Sequence, residues 1–207
     1  MDHHDVKNFE YLSKLLNESS VVVDVGAHLG VYTNFFTQII KDEGKIYSIE
    51  LNPSTFSRLQ NTFNVNKNVI LLNKAVSDTN SVVDFYHDGG HTQTTNILGF
   101  DANRNINDKI GSIESIRLDT LLNKEDSIDL IKIDVEGAEI KVLEGLSGVV
   151  SKVKHLLVEC HMDEDWDIIK NLLLVKYGFS CYDIQYDSPV NIDTEERSYQ
   201  CLCKKDN

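Results

Sequence analysis

Short β-branched runs alternate along the chain with longer stretches in which apolar residues recur every three or four positions. The stretch from Asp5 to Asn17 carries Val6, Phe9, Leu12, Leu15 and Leu16 at helical spacing, with a polar opposite face. Val21-Val22-Val23-Asp24-Val25 follows, with the composition of a buried parallel strand. The alternation then predicts a helix over about 31–40, a strand over Lys45 to Glu50, a helix from Asn52-Pro53-Ser54 to about Asn64, and a strand over Val69 to Leu72. Pro53 falls where its missing N–H does no harm to a helix start. Ser81 to His87 alternates weakly and reads as an added strand, and Ile113 to Leu118 as a short one. Ile128 to Asp134 is a strand that runs through Val135-Glu136-Gly137-Ala138-Glu139 into a helix ending at Gly145. Strands over Val153 to Cys160, Phe179 to Ile184 and Ser198 to Lys204, with a helix over about 163–177, complete the pattern.

Strands alternating with helices predict an α/β, doubly wound, mostly parallel sheet. The strand pair at the C-terminus makes the last of seven strands antiparallel. We read 1–207 as one domain: an N-terminal helix at about 5–17, a cofactor-binding half at about 20–87, an acceptor-side loop at about 88–112 and a C-terminal half at about 113–204. The loop is polar and irregular; a loop of that length in a compact domain is usually functional or disordered, and we read it as a candidate acceptor-site lid.

Composition narrows the partners. The formal net charge of −13 argues against binding nucleic acid through its phosphates and against an anionic membrane surface. No apolar stretch reaches the length of a bilayer span. The four cysteines form no C-x-x-C pair, and Cys201 and Cys203 read as two residues on one strand face. The N-terminal residues lack a basic start and apolar run, so reduced thiols and a cytoplasmic location are expected.

The candidate chemistry collects at strand ends. The turn after the first strand carries Gly26 and Gly30, and the helix behind it presents free N–H groups above the sheet. A dinucleotide fingerprint needs G-x-G-x-x-G, and here only G-x-x-x-G survives, so a nicotinamide-dependent dehydrogenase is the weaker enzyme reading. Asp24 is awkward for a pyrophosphate but suits an amino-acid ammonium. S-adenosylmethionine has an ammonium, a sulfonium and no phosphate. Glu50 lies 20 residues after Gly30, where an acidic residue accepts hydrogen bonds from ribose hydroxyls. Ala75 and Val76 are small enough for adenine to lie against the backbone. Ligands in such sheets bind beyond the carboxyl ends of the strands, where Asp24, Glu50, Asp134, Glu159 and His161 all fall.

Four segments together resemble the FkbM-type S-adenosylmethionine-dependent methyltransferases, from about residue 20 to residue 161. They are Val23 to Thr33, Ser48-Ile49-Glu50-Leu51-Asn52-Pro53, Ile131 to Glu139 with Val142-Leu143 and Gly145, and Leu157-Val158-Glu159-Cys160-His161. The resemblance implies a Rossmann-like class I methyltransferase fold and O-methylation of a small molecule such as a sugar or secondary metabolite. It implies S-adenosylmethionine contacts at Asp24, Gly26, His28, Gly30, Tyr32, Thr33, Glu50, Leu51, Ala75, Val76 and Asp134, the last near the reacting methyl. His28 stands where the family often has Asn, and Leu51 where it often has Pro.

A hydroxyl acceptor must lose a proton, so a positioned base helps. His161 is the first candidate because an ordinary histidine titrates near neutrality, and Asp134 is the second. A satisfied strand-end histidine explains His161 equally well, and His87 and His91 are weaker candidates. We assign no dedicated metal ligands. As an alternative, Asp134, Glu136, Glu159 and His161 converge on a divalent cation that orients a diol. Glu139 reads as a first-turn carboxylate complementing a helix N-terminus. A non-catalytic cofactor-binding scaffold is the alternative outside enzymes, and the oligomeric state is open.

Overall fold

The computed structural model describes residues 3–87, 95–98, 108–193 and 198–205. The elements are α1 (His3–Leu15), β1 (Val21–Val25), α2 (Val31–Ile39), β2 (Lys45–Glu50), α3 (Pro53–Phe63), β3 (Val69–Asn73), β4 (Ala75–Val76), β5 (Val82–His87), β6 (Thr95–Asn96) and β7 (Lys109–Ile116). They continue with α4 (Leu118–Leu121), β8 (Ile128–Ile133), α5 (Glu139–Glu144), β9 (Val153–Glu159), α6 (Trp166–Lys170), β10 (Phe179–Asp183), β11 (Ser188–Val190) and β12 (Gln200–Lys205).

One sheet runs β11-β10-β12-β9-β8-β1-β2-β3. β1 pairs parallel with both β2 and β8, and β8 pairs parallel with β9. β12 slots antiparallel between β9 and β10. The expected seven strands are therefore all present, but the sheet has eight. β11 is the addition, a short edge strand antiparallel to β10. Its Pro189 sits on an edge, where proline is tolerated, and three residues are too few for an apolar run. A second sheet, β4-β7-β5-β6, holds the two segments expected as extra strands, β5 and β7, and adds β4, β6 and the start of β7, the last two within the stretch expected as the acceptor-side loop.

Both faces of the large sheet are covered, which explains why its central strands are apolar without alternation. Val23, Val25, Ile131, Ile133, Leu156 and Val158 face one cluster, with Leu118, Val142 and Trp166 from α4, α5 and α6. Val22, Ile46, Leu130 and Leu157 face the other, with Leu12, Phe36 and Leu59 from α1, α2 and α3. Asn52 caps α3 by accepting from the backbone N–H of Ser54 and Thr55, with Pro53 in the first turn. The helix expected over 163–177 is three helical segments in succession, a 3₁₀ turn at Asp163–Asp165, α6, and a π-helix over Asn171–Lys176.

The cysteines correct one expectation. Cys181 and Cys203 face each other across the β10–β12 pairing and are joined as a disulfide, while Cys160 and Cys201 are buried free thiols. A cysteine count cannot show this, because it depends on the register between two strands far apart in sequence. Among the described residues no helix is long and apolar enough to cross a membrane. His91 and most of the expected acceptor-side loop lie outside the described residues.

Candidate active site

The turn after β1 is fixed by backbone geometry. Gly26 has φ 76°, and a Cβ there would lie 1.7 Å from the carbonyl oxygen of Asp134. Only glycine lets the first turn pass so close to the end of β8. The N–H groups of Gly26 and Ala27 both donate to the Ile49 carbonyl, and the Asp134 N–H donates to that of Val25. His28 and Glu136 hold left-handed backbones, with φ of 49° and 55°. Such strain, about 1–3 kcal/mol per residue, gathers at functional sites.

A cleft of about 600 Å³ opens over the ends of β1, β2 and β4. Gly26, His28, Glu50, Leu51, Ala75, Val76 and Asp134, each expected at the cofactor, all line it. Glu50 is 6% exposed. Its Oε2 accepts from the His28 N–H at 2.9 Å and its Oε1 from the Asn52 N–H at 2.7 Å. Burial raises its pKa, and these two backbone donors oppose the rise. Each carboxylate oxygen keeps a lone pair for a vicinal diol, so the residues present fit a ribose. Thr95 and Ile97, on and beside β6, add a wall to this cleft that sequence reasoning did not anticipate.

A second cleft of about 550 Å³ lies on the other side of the same turn. Gly26, His28 and Asp134 line both clefts, so the two meet there. Tyr32, expected at the cofactor, lines the second cleft. Asp24, Gly30 and Thr33 line neither. Asp24 and Thr33 are fully buried; the Thr33 hydroxyl donates to Asp24 Oδ2 at 2.7 Å and lies 2.7 Å from the Ser48 hydroxyl. A side chain at Gly30 would meet Phe63 and Leu59, so this glycine lets α2 and α3 approach.

Lys132 was not singled out from the sequence. It is the register partner of Asp24, and its ammonium donates to the Gly26 carbonyl and to Asp134 Oδ2, each at 3.0 Å. Burial opposes its charge, but Asp134 and Asp24 outweigh that and push its pKa above the ordinary lysine value. A lysine within the apolar run of β8 was the available signal, since a buried lysine needs carboxylate partners.

His161 stands among four carboxylates. Its Nδ1 lies 2.7 Å from Oε1 of Glu139, which is fully buried. Its Nε2 is 3.5 Å from Glu136, 3.7 Å from Asp134 and 3.7 Å from Glu159. Burial alone would favour the neutral ring. The Glu139 bond and the charges of Glu139, Glu136 and Asp134 prevail and raise its pKa to about 9. Burial, then the charge of Asp134, lift Glu159 to about 7. Asp134 is pulled below the ordinary range: burial acts against this, and Lys132 and His161 overcome it. Glu139 thus sits in the first turn of α5, as expected, and also orients the histidine. Asp134, Glu136 and His161 bring one ligand atom each within 4.8 Å of one another, the spacing of groups able to share a cation.

The strand order, with β1 between β2 and β8, defines a Rossmann-like fold. The solved structure of an FkbM methyltransferase from Methylobacillus flagellatus superposes with a TM-score of 0.60 at 16% identity, over 96% of this chain and 47% of that one. The family model for the methyltransferase FkbM domain matches residues 24–181, and the chain belongs to that family. Among curated relatives, it is 26% identical over 159 residues to the hexuronic acid methyltransferase AglP of Haloferax volcanii, covering 75% of this chain and 62% of that protein. It is 25% identical over 163 residues to the 2-O-methyltransferase NoeI of Sinorhizobium fredii, covering 72% and 67%.

Proposed function

We propose that the chain is an S-adenosylmethionine-dependent methyltransferase that O-methylates a hydroxyl of a small molecule such as a sugar. The observation that carries the reading is the meeting of two clefts at Gly26, His28 and Asp134, with a ribose-matched carboxylate in the first and the acidic cluster beside the second. The family membership and the relatives' names support it. When bound, S-adenosylmethionine supplies a methyl already activated on its sulfonium. The chain's work is then alignment, exclusion of water and removal of a proton. Glu50 would hold the ribose and Ala75 and Val76 would take the adenine, while Lys132 fixes Asp134 at the seam. His161, held by Glu139, is the basic group, and Asp134 faces the acceptor hydroxyl.

Titration calorimetry with S-adenosylmethionine, S-adenosylhomocysteine and NAD tests this. Saturable micromolar binding of the first two without NAD is expected. Binding of NAD alone would replace the reading with the dehydrogenase, and cofactor binding without turnover on any acceptor would favour the scaffold.

The spacing of Asp134, Glu136 and His161 favours a second reading, in which a divalent cation orients a diol acceptor. Turnover would then stop with chelator and return with magnesium. We also place the protein in the cytoplasm. Alkylation of freshly lysed cells tests this: labelling of Cys181 and Cys203 would support it, and protection by their disulfide would place the chain in an oxidising compartment instead.

A further inference from the structure

The second cleft has a wall made by parts of the chain outside the matched family segment. Asn8 of α1, 1% exposed, sits behind it. Its Nδ2 donates to Tyr32 Oη at 2.6 Å and to Gln200 Oε1 at 2.8 Å. Gln200 Nε2 is thereby turned toward Glu159 Oε2, 3.5 Å away. Residues 8 and 200 both fall outside the segment 24–181 that the family model matches. Tyr199, 52% exposed, stands at the rim with an aromatic face.

The charges of the lining are unequal. Among the described residues the one lysine or arginine is Lys132, whose side chain is 4% exposed. An ammonium has three N–H groups. Those of Lys132 face the Gly26 carbonyl, Asp134 and Asp24, at 3.0, 3.0 and 3.5 Å. None remains for an incoming anion. Glu159 and Asp134, with side chains 41% and 30% exposed, face the cleft as hydrogen-bond acceptors. The His161 ring beside them is already shared among Glu139, Glu136, Asp134 and Glu159, so an acceptor carboxylate would find no cation of its own, whereas hydroxyl or ammonium donors would be matched.

We infer that the second cleft takes a sugar-like polyol that carries no carboxylate, neutral or amine-bearing, with its donors on Glu159 and Asp134 and its ring against Tyr199. This rests on the reading of that cleft as the acceptor side. The selection against a carboxylate comes from an unpaired-charge penalty beside Glu159 and Asp134.

The test is calorimetry on the full chain saturated with S-adenosylhomocysteine. The probes are methyl hexosides, methyl 2-amino-2-deoxyhexosides and methyl hexuronides, each in gluco, galacto and manno forms. The expected result is that, in at least one configuration, the hexoside or aminohexoside binds at least about tenfold more tightly than its hexuronide. Glu159→Gln should shrink that gap to about threefold or less. A hexuronide that binds as well as its neutral counterpart overturns the inference. So does S-adenosylhomocysteine binding with no glycoside binding at all, which leaves the methyltransferase reading standing. Absence of S-adenosylhomocysteine binding removes both readings together.

Discussion

The two clefts are similar in volume and share three residues, yet they are built in different ways. The first is assembled mainly from strand ends: the turns after β1 and β8, the last residue of β2 and the short β4, with Thr95 and Ile97 at β6. The second shares that turn and adds Tyr32 of α2, Lys132 of β8, the end of β9, the loop after β10 and the start of β12, with Asn8 of α1 behind them. The hydrogen bond from Asn8 to Gln200 spans 192 positions of sequence. A site made from local turns has its chemistry printed in short motifs. A site made by topology depends on where an inserted strand happens to bring distant residues.

That contrast is most directly broken at the seam. Gly26→Ala puts a methyl group against the Asp134 carbonyl and strains a left-handed backbone, so both clefts should fail together. Cofactor affinity is expected to fall by more than about a hundredfold, with a drop in thermal midpoint. If binding survived, the seam would not be the reacting centre.

His161→Ala belongs to one side only. Turnover should fall by roughly a hundredfold while S-adenosylmethionine affinity holds, checked by methyl transfer and calorimetry in parallel. The same histidine gives a pH signature. Its pKa in the folded protein, about 9, lies above the ordinary 6.5, so its pairing stabilises fully below about 6.5 and is lost as pH rises through 9. The wild-type thermal midpoint should therefore fall more than that of His161→Ala across this window. Wild-type turnover should climb toward pH 9, because the base must be neutral. Parallel melting curves, or a flat pH–rate profile, would remove the role.

Glu50→Ala sharpens the other side. Loss of a preoriented carboxylate should weaken S-adenosylmethionine by at least about tenfold and leave glycoside binding to the second cleft little changed. The smallest effect is expected at Asn8→Ala. Releasing Gln200 and Tyr32 should weaken glycoside binding about fivefold, the size of one lost hydrogen bond, with S-adenosylhomocysteine affinity within about twofold of wild type. Equal losses for both ligands would make Asn8 a general support of the fold.

What was legible in the sequence follows the same division. Gly26, Glu50 and Asp134 were readable because a strand end, a turn glycine and a following helix place them without help from elsewhere. The Asn52-Pro53 helix start was readable for the same reason. Asp24 and Thr33 were read with the cofactor, but both side chains are buried beneath the turn, where they hydrogen-bond each other. Strand alternation alone could not say which face carried the cleft. Glu159 and His161 were visible at a strand end, but not the carboxylate ring that sets their protonation, because Glu139 reaches His161 from α5, 22 residues earlier in the chain. Gln185, Tyr199 and Gln200 had no motif at all. Their position depends on β12 lying between β9 and β10.

One consequence follows from the shared wall. Since His28, Gly26 and Asp134 belong to both clefts, whatever fills one alters the surface offered to the other, and thermodynamic linkage makes that influence mutual. The factor by which an acceptor tightens or loosens S-adenosylhomocysteine must equal the factor by which S-adenosylhomocysteine changes the acceptor. Product inhibition in this protein would then be set as much by how full the neighbouring cleft is as by the spent cofactor's own grip.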